Sequence, residues 1–260
     1  MPNPIITLTT DFGYKDPFVG IMKGVILGIN PSVTIIDITH GISPQNILEA
    51  AITIEMSFKS FPNGSIHIAV VDPGVGSVRR PILVNTEQYY FIGPDNGIFS
   101  RIYNVSERLE VIHITSEHYF LPERSLTFHG RDVFAPIAAC LSKGIHISKF
   151  GDPINDYVSL TMPTPIIVNK NILEGEVMYI DRFGNAITNI KAQDIAEQKS
   201  LKVMLKGKIA PFKNHYSETG DDGLYSLMNS FGYLELFVYR GSASYHFDIK
   251  VGEKVAVMLA

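Results

Sequence analysis

Residues 5–10, Ile-Ile-Thr-Leu-Thr-Thr, form a β-branched run that predicts a first strand. The period then changes. Over residues 18–29 the apolar positions fall at helical spacing until Asn30-Pro31 stops them. Residues 34–39 predict a second strand, and residues 46–58 an amphipathic helix closed by Phe61-Pro62-Asn63-Gly64. The short continuous apolar run at 66–71 suits a strand covered on both faces. The order so far is βαβαβ. Beyond it, 82–86 and 89–92 predict a hairpin, 109–114 a further strand and 133–141 a helix. The expected class is α/β: an α/β/α unit with helices on both faces of a largely parallel sheet.

The texture changes at Met162-Pro163-Thr164-Pro165, where two closely spaced prolines favour an extended connection. Short β runs follow at 175–180, 201–205, 233–239, 245–249 and 254–259, broken by Gly, Asn and Asp. They predict a smaller all-β, barrel-like domain. The expected division is an N-terminal α/β domain over 1–163 and a C-terminal β domain over 166–260.

Composition narrows the function classes. The 260 residues are 45% hydrophobic and 18% charged, which excludes wholesale disorder and a coiled coil. With 22 basic and 26 acidic residues the formal net charge is −4, and no Lys/Arg run offers nucleic acid a basic face. Small molecules become the expected partners. One cysteine, Cys140, sits in the apolar Ala138-Ala139-Cys140-Leu141, so neither a disulfide nor a cysteine zinc site is expected and the thiol reads as buried and inert. The N-terminal residues lack a signal peptide's basic and long apolar regions, and no apolar stretch reaches membrane-spanning length. The expectation is a soluble cytoplasmic protein.

In open α/β sheets ligands bind beyond the carboxyl ends of the strands, so polar residues directly after strands are the first candidates. Asp11 ends the first run in a glycine-containing turn, where a carboxylate can accept hydrogen bonds from a vicinal diol such as ribose; as a plain turn residue it would cap the next helix. Asp72 opens Asp72-Pro73-Gly74-Val75-Gly76-Ser77-Val78-Arg79-Arg80, seven residues before one guanidinium and eight before another. Its glycines permit close backbone approach to a ligand, but the Walker ending is missing, and an ion pair closing a surface loop is the plainer alternative. His129, after a strand-like apolar run, could orient or deprotonate a water. Arg131 and Asp132 read as charges at a helix start, Asp132 suiting the positive end of its dipole. His40, also at a strand end, reads as structural. In the second domain Asn185 has the donor and acceptor to read an adenine edge, with Phe183 offering a stacking face; the alternative is an Asx turn beside a core phenylalanine. No histidine spacing fits a metal site.

Taken together, Thr10-Asp11-Phe12-Gly13, the VVDPGVGSVRR run at 70–80, TFHGRD at 127–132, DRFGN at 181–185 and NSFGYLELFVYRGSA at 229–243 resemble the S-adenosyl-L-methionine hydroxide adenosyltransferases, relatives of fluorinases and chlorinases. The resemblance spans essentially the whole chain. It implies hydrolysis of S-adenosyl-L-methionine to adenosine and L-methionine by attack of water or hydroxide at the ribose C5′, activated by Asp72, Arg79 and His129. The halide-using relatives are expected to carry tyrosines at the places of Asp72 and His129 and no arginine at that of Arg79. Asp11 would hold the ribose hydroxyls, and Phe183 and Asn185 the adenine. Asp181, Ser230 and Glu235 would meet polar groups of the nucleoside or amino acid, and backbone near Val238 the adenine. Phe237, Tyr239 and Arg240 depart from the expected form of the last motif. The resemblance also implies a homotrimer whose active site lies between the N-terminal domain of one subunit and the β domain of its neighbour.

A sulfonium leaves as a neutral thioether, so the chemistry needs an activated, aligned nucleophile more than an acid, and neither metal nor organic cofactor. Arg79 would favour hydroxide electrostatically, while His129 or Asp72 accepts or orients its protons. Two other readings use the same residues: a sensor that binds S-adenosyl-L-methionine or adenosine without turnover, and a halide-dependent adenosyltransferase.

Overall fold

Strand β1 (Ile5–Thr10) is buried from Ile6 onward, with Ile6 and Leu8 in one apolar cluster and Thr7 and Thr9 pointing to the other face. The computed structural model describes residues 3–169, 171–196 and 201–259. Contacts divide the chain into two units, Met1–Leu160 and Thr161–Ala260.

In the first unit β1 is followed by α1 (Phe18–Ile29), β2 (Thr34–Thr39), α2 (Ile47–Ser57), β3 (Ile66–Val70), β4 (Pro81–Thr86), β5 (Tyr90–Pro94), α3 (Ser100–Val105), β6 (Leu109–Ile114), α4 (Ala135–Ser142) and β7 (Gly151–Pro153). The sheet order is β2-β1-β3-β5-β4-β6-β7. Its β2-β1-β3-β5 half is parallel, and β4, β6 and β7 add antiparallel pairs. Helices α1 and α4 cover one face through Met22, Ile26, Ile137 and Ala138. The other face is covered by α2 and α3 through Ala50, Ile54 and Ile102. Each fully buried aliphatic side chain contributes about 1.5–3 kcal/mol, so two such faces suffice to hold the sheet between helices.

The βαβαβ order and the hairpin are found where the hydrophobic pattern places them. Asn46 caps α2 by accepting from the Glu49 N–H at 3.0 Å. Helix α3 was not anticipated, because six residues carry too little period to read. No strand precedes His129: residues 121–128 are irregular. The helix expected over 133–141 begins earlier, as a π-helical turn Gly130–Phe134 that runs into α4. Cys140 is half-buried rather than buried, and burial pushes its thiol pKa up.

The second unit holds β8 (Ile166–Val168), β9 (Ile172–Ile180), β10 (Ala186–Lys191), β11 (Lys202–Leu205), β12 (Lys208–Pro211), β13 (Tyr225–Met228), β14 (Tyr233–Phe237) and β15 (Lys254–Met258). They run β12-β11-β15-β9-β10-β14-β13, with β8 on β9 and every strand pair antiparallel. The ends approach one another. Ser226 Oγ donates to the Ala210 carbonyl at 2.9 Å, and Lys213 N–H to the Ser226 carbonyl at 2.8 Å, making a nearly closed barrel around Val177, Leu236 and Val257.

The strand expected over 245–249 is instead a short helix, α5 (Ala243–His246). Ser242 Oγ accepts the Tyr245 N–H at 3.1 Å, and Asp248 turns into positive φ (47°), so the segment coils where its apolar residues suggested extension.

Candidate active site

Beyond β3 the chain turns tightly. Ser77 donates N–H and hydroxyl to the Gly74 carbonyl at 3.1 and 2.7 Å, and then accepts the Arg79 N–H at 3.2 Å. Gly76 has φ +79°, and the Leu126 carbonyl fills the space a Cβ would need, so only glycine lets the 121–128 segment lie against this loop. The result returns Arg79 onto Asp72. Arg79 Nε donates to Asp72 Oδ1 at 2.9 Å and Nη2 to Oδ2, a bidentate pair whose side chains are 9% and 5% exposed. The same Nη2 donates to His129 Nδ1 at 2.8 Å. Behind it the guanidinium lies 5.4 Å over the Phe134 ring, supplied by the π-helical turn.

The electrostatics follow. Burial, and then the Arg79 charge, hold His129 below the ordinary histidine pKa, so its ring is neutral. Arg79 cannot surrender its proton, so Nδ1 is the bare nitrogen and the ring proton sits on Nε2. Arg79 Nη1 and His129 Nε2 are buried donors with no partner among the described residues. A cavity of about 300 Å³ lies against both side chains, with Ser77, Thr115, Glu117 and Arg124 also in its wall.

Arg80, the alternative partner for Asp72, faces elsewhere: it donates to Asp95 Oδ2 at 2.7 Å and Asp156 Oδ1 at 2.8 Å, pinning the 154–158 segment. Arg131 pairs with the fully buried Asp132, which also accepts the Ser125 N–H at 2.8 Å. Asp132 therefore braces the loop before His129 rather than facing a helix dipole alone.

Asp11 follows β1 as Asp72 follows β3, and the register Thr10–Val70 puts both beyond the same edge of the parallel sheet. It does not cap α1, whose N-cap is Pro17. Its Oδ2 accepts the Gln45 N–H at 2.8 Å. His40 is buried: Nδ1 bonds Thr10 Oγ1 at 2.8 Å, and Nε2 lies 3.1 Å from Asp37.

In the second unit Asp181 organises the turn between β9 and β10. Oδ1 accepts the N–H groups of Phe183 and Asn185 at 2.9 and 2.8 Å, and Oδ2 accepts the Asn185 side-chain amide at 3.0 Å. The Asx turn is thus present, but Phe183 is no core residue: it is 76% exposed. Gly184 at φ +83° packs where Ser242 leaves no room for a Cβ. Glu235 is only 3% exposed, and both its oxygens are engaged, by the Tyr216 hydroxyl at 2.7 Å and the Asn229 amide at 3.2 Å. Burial raises its pKa. Ser230 is exposed at the tip of the β13–β14 turn, and Val238 is buried, its carbonyl accepting the Gly241 N–H at 3.2 Å.

Asp72, Arg79 and His129 are therefore brought together, as are Asp181, Phe183 and Asn185, whereas Ser230 shares no hydrogen bond with the latter group. Sequence reasoning passed over Tyr216 and Gln45, since neither a loop tyrosine nor a backbone N–H leaves a mark in composition. Among the described residues no group of His, Cys, Asp or Glu is arranged to hold a metal ion, and no helix is long and apolar enough to cross a membrane.

Known proteins resemble this chain over nearly its whole length. The solved structure of an uncharacterized conserved protein from Thermotoga maritima superposes with a TM-score of 0.90 at 34% identity, covering 97% of this chain and 99% of that one. A protein of Methanocaldococcus jannaschii named (R)-S-adenosyl-L-methionine hydrolase is 35% identical over 98% of this chain and 95% of its own. A Thermus thermophilus protein of the same name is 31% identical over 96% and 97%. A fluorinase of an Actinoplanes species is more distant, 27% identical over 99% and 98%. The family model of the SAM hydroxide adenosyltransferase N-terminal domain matches residues 6–151, and that of the C-terminal domain residues 175–256. With both halves matched in order, the chain belongs to the SAM hydroxide adenosyltransferase family.

Proposed function

We propose that this enzyme hydrolyses S-adenosyl-L-methionine to adenosine and L-methionine, with water or hydroxide attacking C5′ in line with the sulfonium. The observation that carries the reading is Arg79 gripping Asp72 and His129 at once while two buried donors remain unpartnered among the described residues. Arg79 Nη1 and His129 Nε2–H would donate to the oxygen of the nucleophile. Two donors and a fixed positive charge favour hydroxide over water, and Asp72, its oxygens taken by Arg79, offsets that charge and fixes the fork. His129 acts as a donor, since its bare nitrogen already accepts from Arg79. In the step, the oxygen–C5′ bond forms as the C5′–sulfur bond breaks. The electron pair goes to sulfur, which departs as the neutral thioether of methionine, and the proton of water leaves to solvent. Neither metal nor organic cofactor is required.

In this reading Asp11 holds the ribose diol, Phe183 stacks on adenine and Asn185 reads its edge. Asp181, Ser230 and Glu235 meet polar groups of the nucleoside or amino acid, backbone near Val238 meets the adenine, and the enzyme is a homotrimer. The relatives' name points to the R epimer at sulfur as the substrate to try first.

Incubation with the R and S epimers in oxygen-18 water, followed by mass spectrometry, tests it. Adenosine labelled at its 5′ oxygen, with unlabelled methionine, is the expected result. Tight binding without product would replace the hydrolase by a sensor, and a 5′-halo product formed only with added halide would replace it by an adenosyltransferase.

A further inference from the structure

Gln45 has φ +65°, the left-handed region that residues other than glycine rarely adopt, and stands beside Asp11 with no role yet assigned to it. The conformation is held from both sides. After it, Asn46 caps α2 by accepting from Glu49 N–H, while Glu49 reaches back to the Ser43 N–H at 3.2 Å. Before it, residues 40–42 are tied to the β1 end: Gly13 N–H donates to the His40 carbonyl at 2.8 Å, and the His40 ring bonds Thr10. The left-handed turn aims the Gln45 N–H outward, where it meets Asp11 Oδ2 at 2.8 Å. Oδ1 accepts no hydrogen bond among the described residues.

We infer that Gln45 is a positioning residue: its backbone N–H, held at positive φ by the α2 cap and the His40 anchor, commits one oxygen of Asp11 and presents the other to the ribose diol. The inference rests on reading Asp11 as the ribose carboxylate and adds what sets its geometry. A carboxylate on a single bond to the chain rotates freely, and rotation scatters the acceptor that the two hydroxyls need. One charge-assisted hydrogen bond from fixed backbone removes that freedom before the substrate arrives. The side chain itself is exposed and makes no hydrogen bond among the described residues, so the demand on position 45 is conformational.

The test uses Gln45→Val, which keeps the N–H but resists positive φ, and Gln45→Gly, which keeps the N–H and adopts positive φ readily. Each is made in the full-length enzyme and in an Asp11→Asn background, with the thermal midpoint confirming folding. Gln45→Val is expected to raise KM about tenfold while kcat stays within about twofold, Gln45→Gly to restore KM, and the penalty to vanish in Asp11→Asn. Calorimetry with adenosine and 2′,3′-dideoxyadenosine should show the same loss only for the ligand that has the diol. An unchanged KM in Gln45→Val, beside a raised KM in Asp11→Asn, overturns the inference and leaves the ribose reading standing. If Asp11→Asn also leaves KM unchanged, both fall. A Gln45→Val penalty that persists in Asp11→Asn, or falls on kcat, overturns the route through Asp11.

Discussion

Arg79 Nη2 donates at 2.8 Å to Nδ1 of His129, fifty positions along the chain, while the same Nη2 and Nε hold Asp72. One planar group thus sets both the tautomer of the imidazole and the direction of the carboxylate. Arg79→Lys keeps the charge but loses the fork, and kcat is expected to fall at least about 100-fold, the scale for removing a preorganised donor. Arg79→Ala should add a folding penalty of about 3–5 kcal/mol, because it leaves the buried Asp72 carboxylate unpaired. Steady-state kinetics and denaturant unfolding of the two variants separate these effects.

Phe183 offers a ring to solvent at little cost to folding. Phe183→Ala is expected to leave the unfolding free energy within about 0.5 kcal/mol, as for an exposed side chain. If it stacks on adenine, KM rises about tenfold. An unchanged KM would remove Phe183 from the adenine pocket.

His67 lies in the core of the first unit, bonded to Thr7 Oγ1 at 2.8 Å among Phe58, Phe61 and Phe91. Burial lowers its pKa to about 4 from 6.5. A histidine with a depressed folded pKa favours folding when neutral, so its contribution is complete above pH 6.5 and is lost as pH falls to about 4. The loss amounts to about 3 kcal/mol. In the double variant Thr7→Val/His67→Phe, the drop in stability between about pH 7.5 and about pH 4.5, measured by urea unfolding, should shrink by that amount.

Among the described residues Tyr216 is the sole hydroxyl donor to Glu235, whose carboxyl burial holds above its ordinary pKa. A raised carboxyl pKa means the fold favours the neutral form, and stability falls as pH rises from the ordinary value through the raised one. Tyr216→Phe is expected to cost about 1–3 kcal/mol. The cost should be larger at about pH 8 than at about pH 5, where the unsupported carboxylate is more readily protonated. Equal midpoint shifts in calorimetry at the two pH values would contradict this.

Much of the fold is legible in the chain. Helix α1 and strands β1, β2 and β6 occur with the bounds that the hydrophobic period assigns, because each is a run of mainly apolar or β-branched residues that ends at a polar or proline break. Legibility fails where an element is short or tertiary. Residues 245–249 look extended by composition, yet the Ser242 cap coils them, and β12 and β13, four residues each, alternate too few residues to declare a strand.

The candidate site divides in the same way. Sequence by itself marked Asp11, Asp72, Arg79 and His129 as candidates, through their place in turns and through five ordered motifs. Spacing alone could not choose between Arg79 and Arg80 for Asp72, which only the resemblance did, nor name the nitrogen of His129 that holds the proton, nor expose the Gln45 N–H behind Asp11. Only the tertiary structure decided the last two, because hydrogen bonds are directional over about 3 Å, and which donor reaches which acceptor depends on loops closed by packing rather than on spacing along the chain.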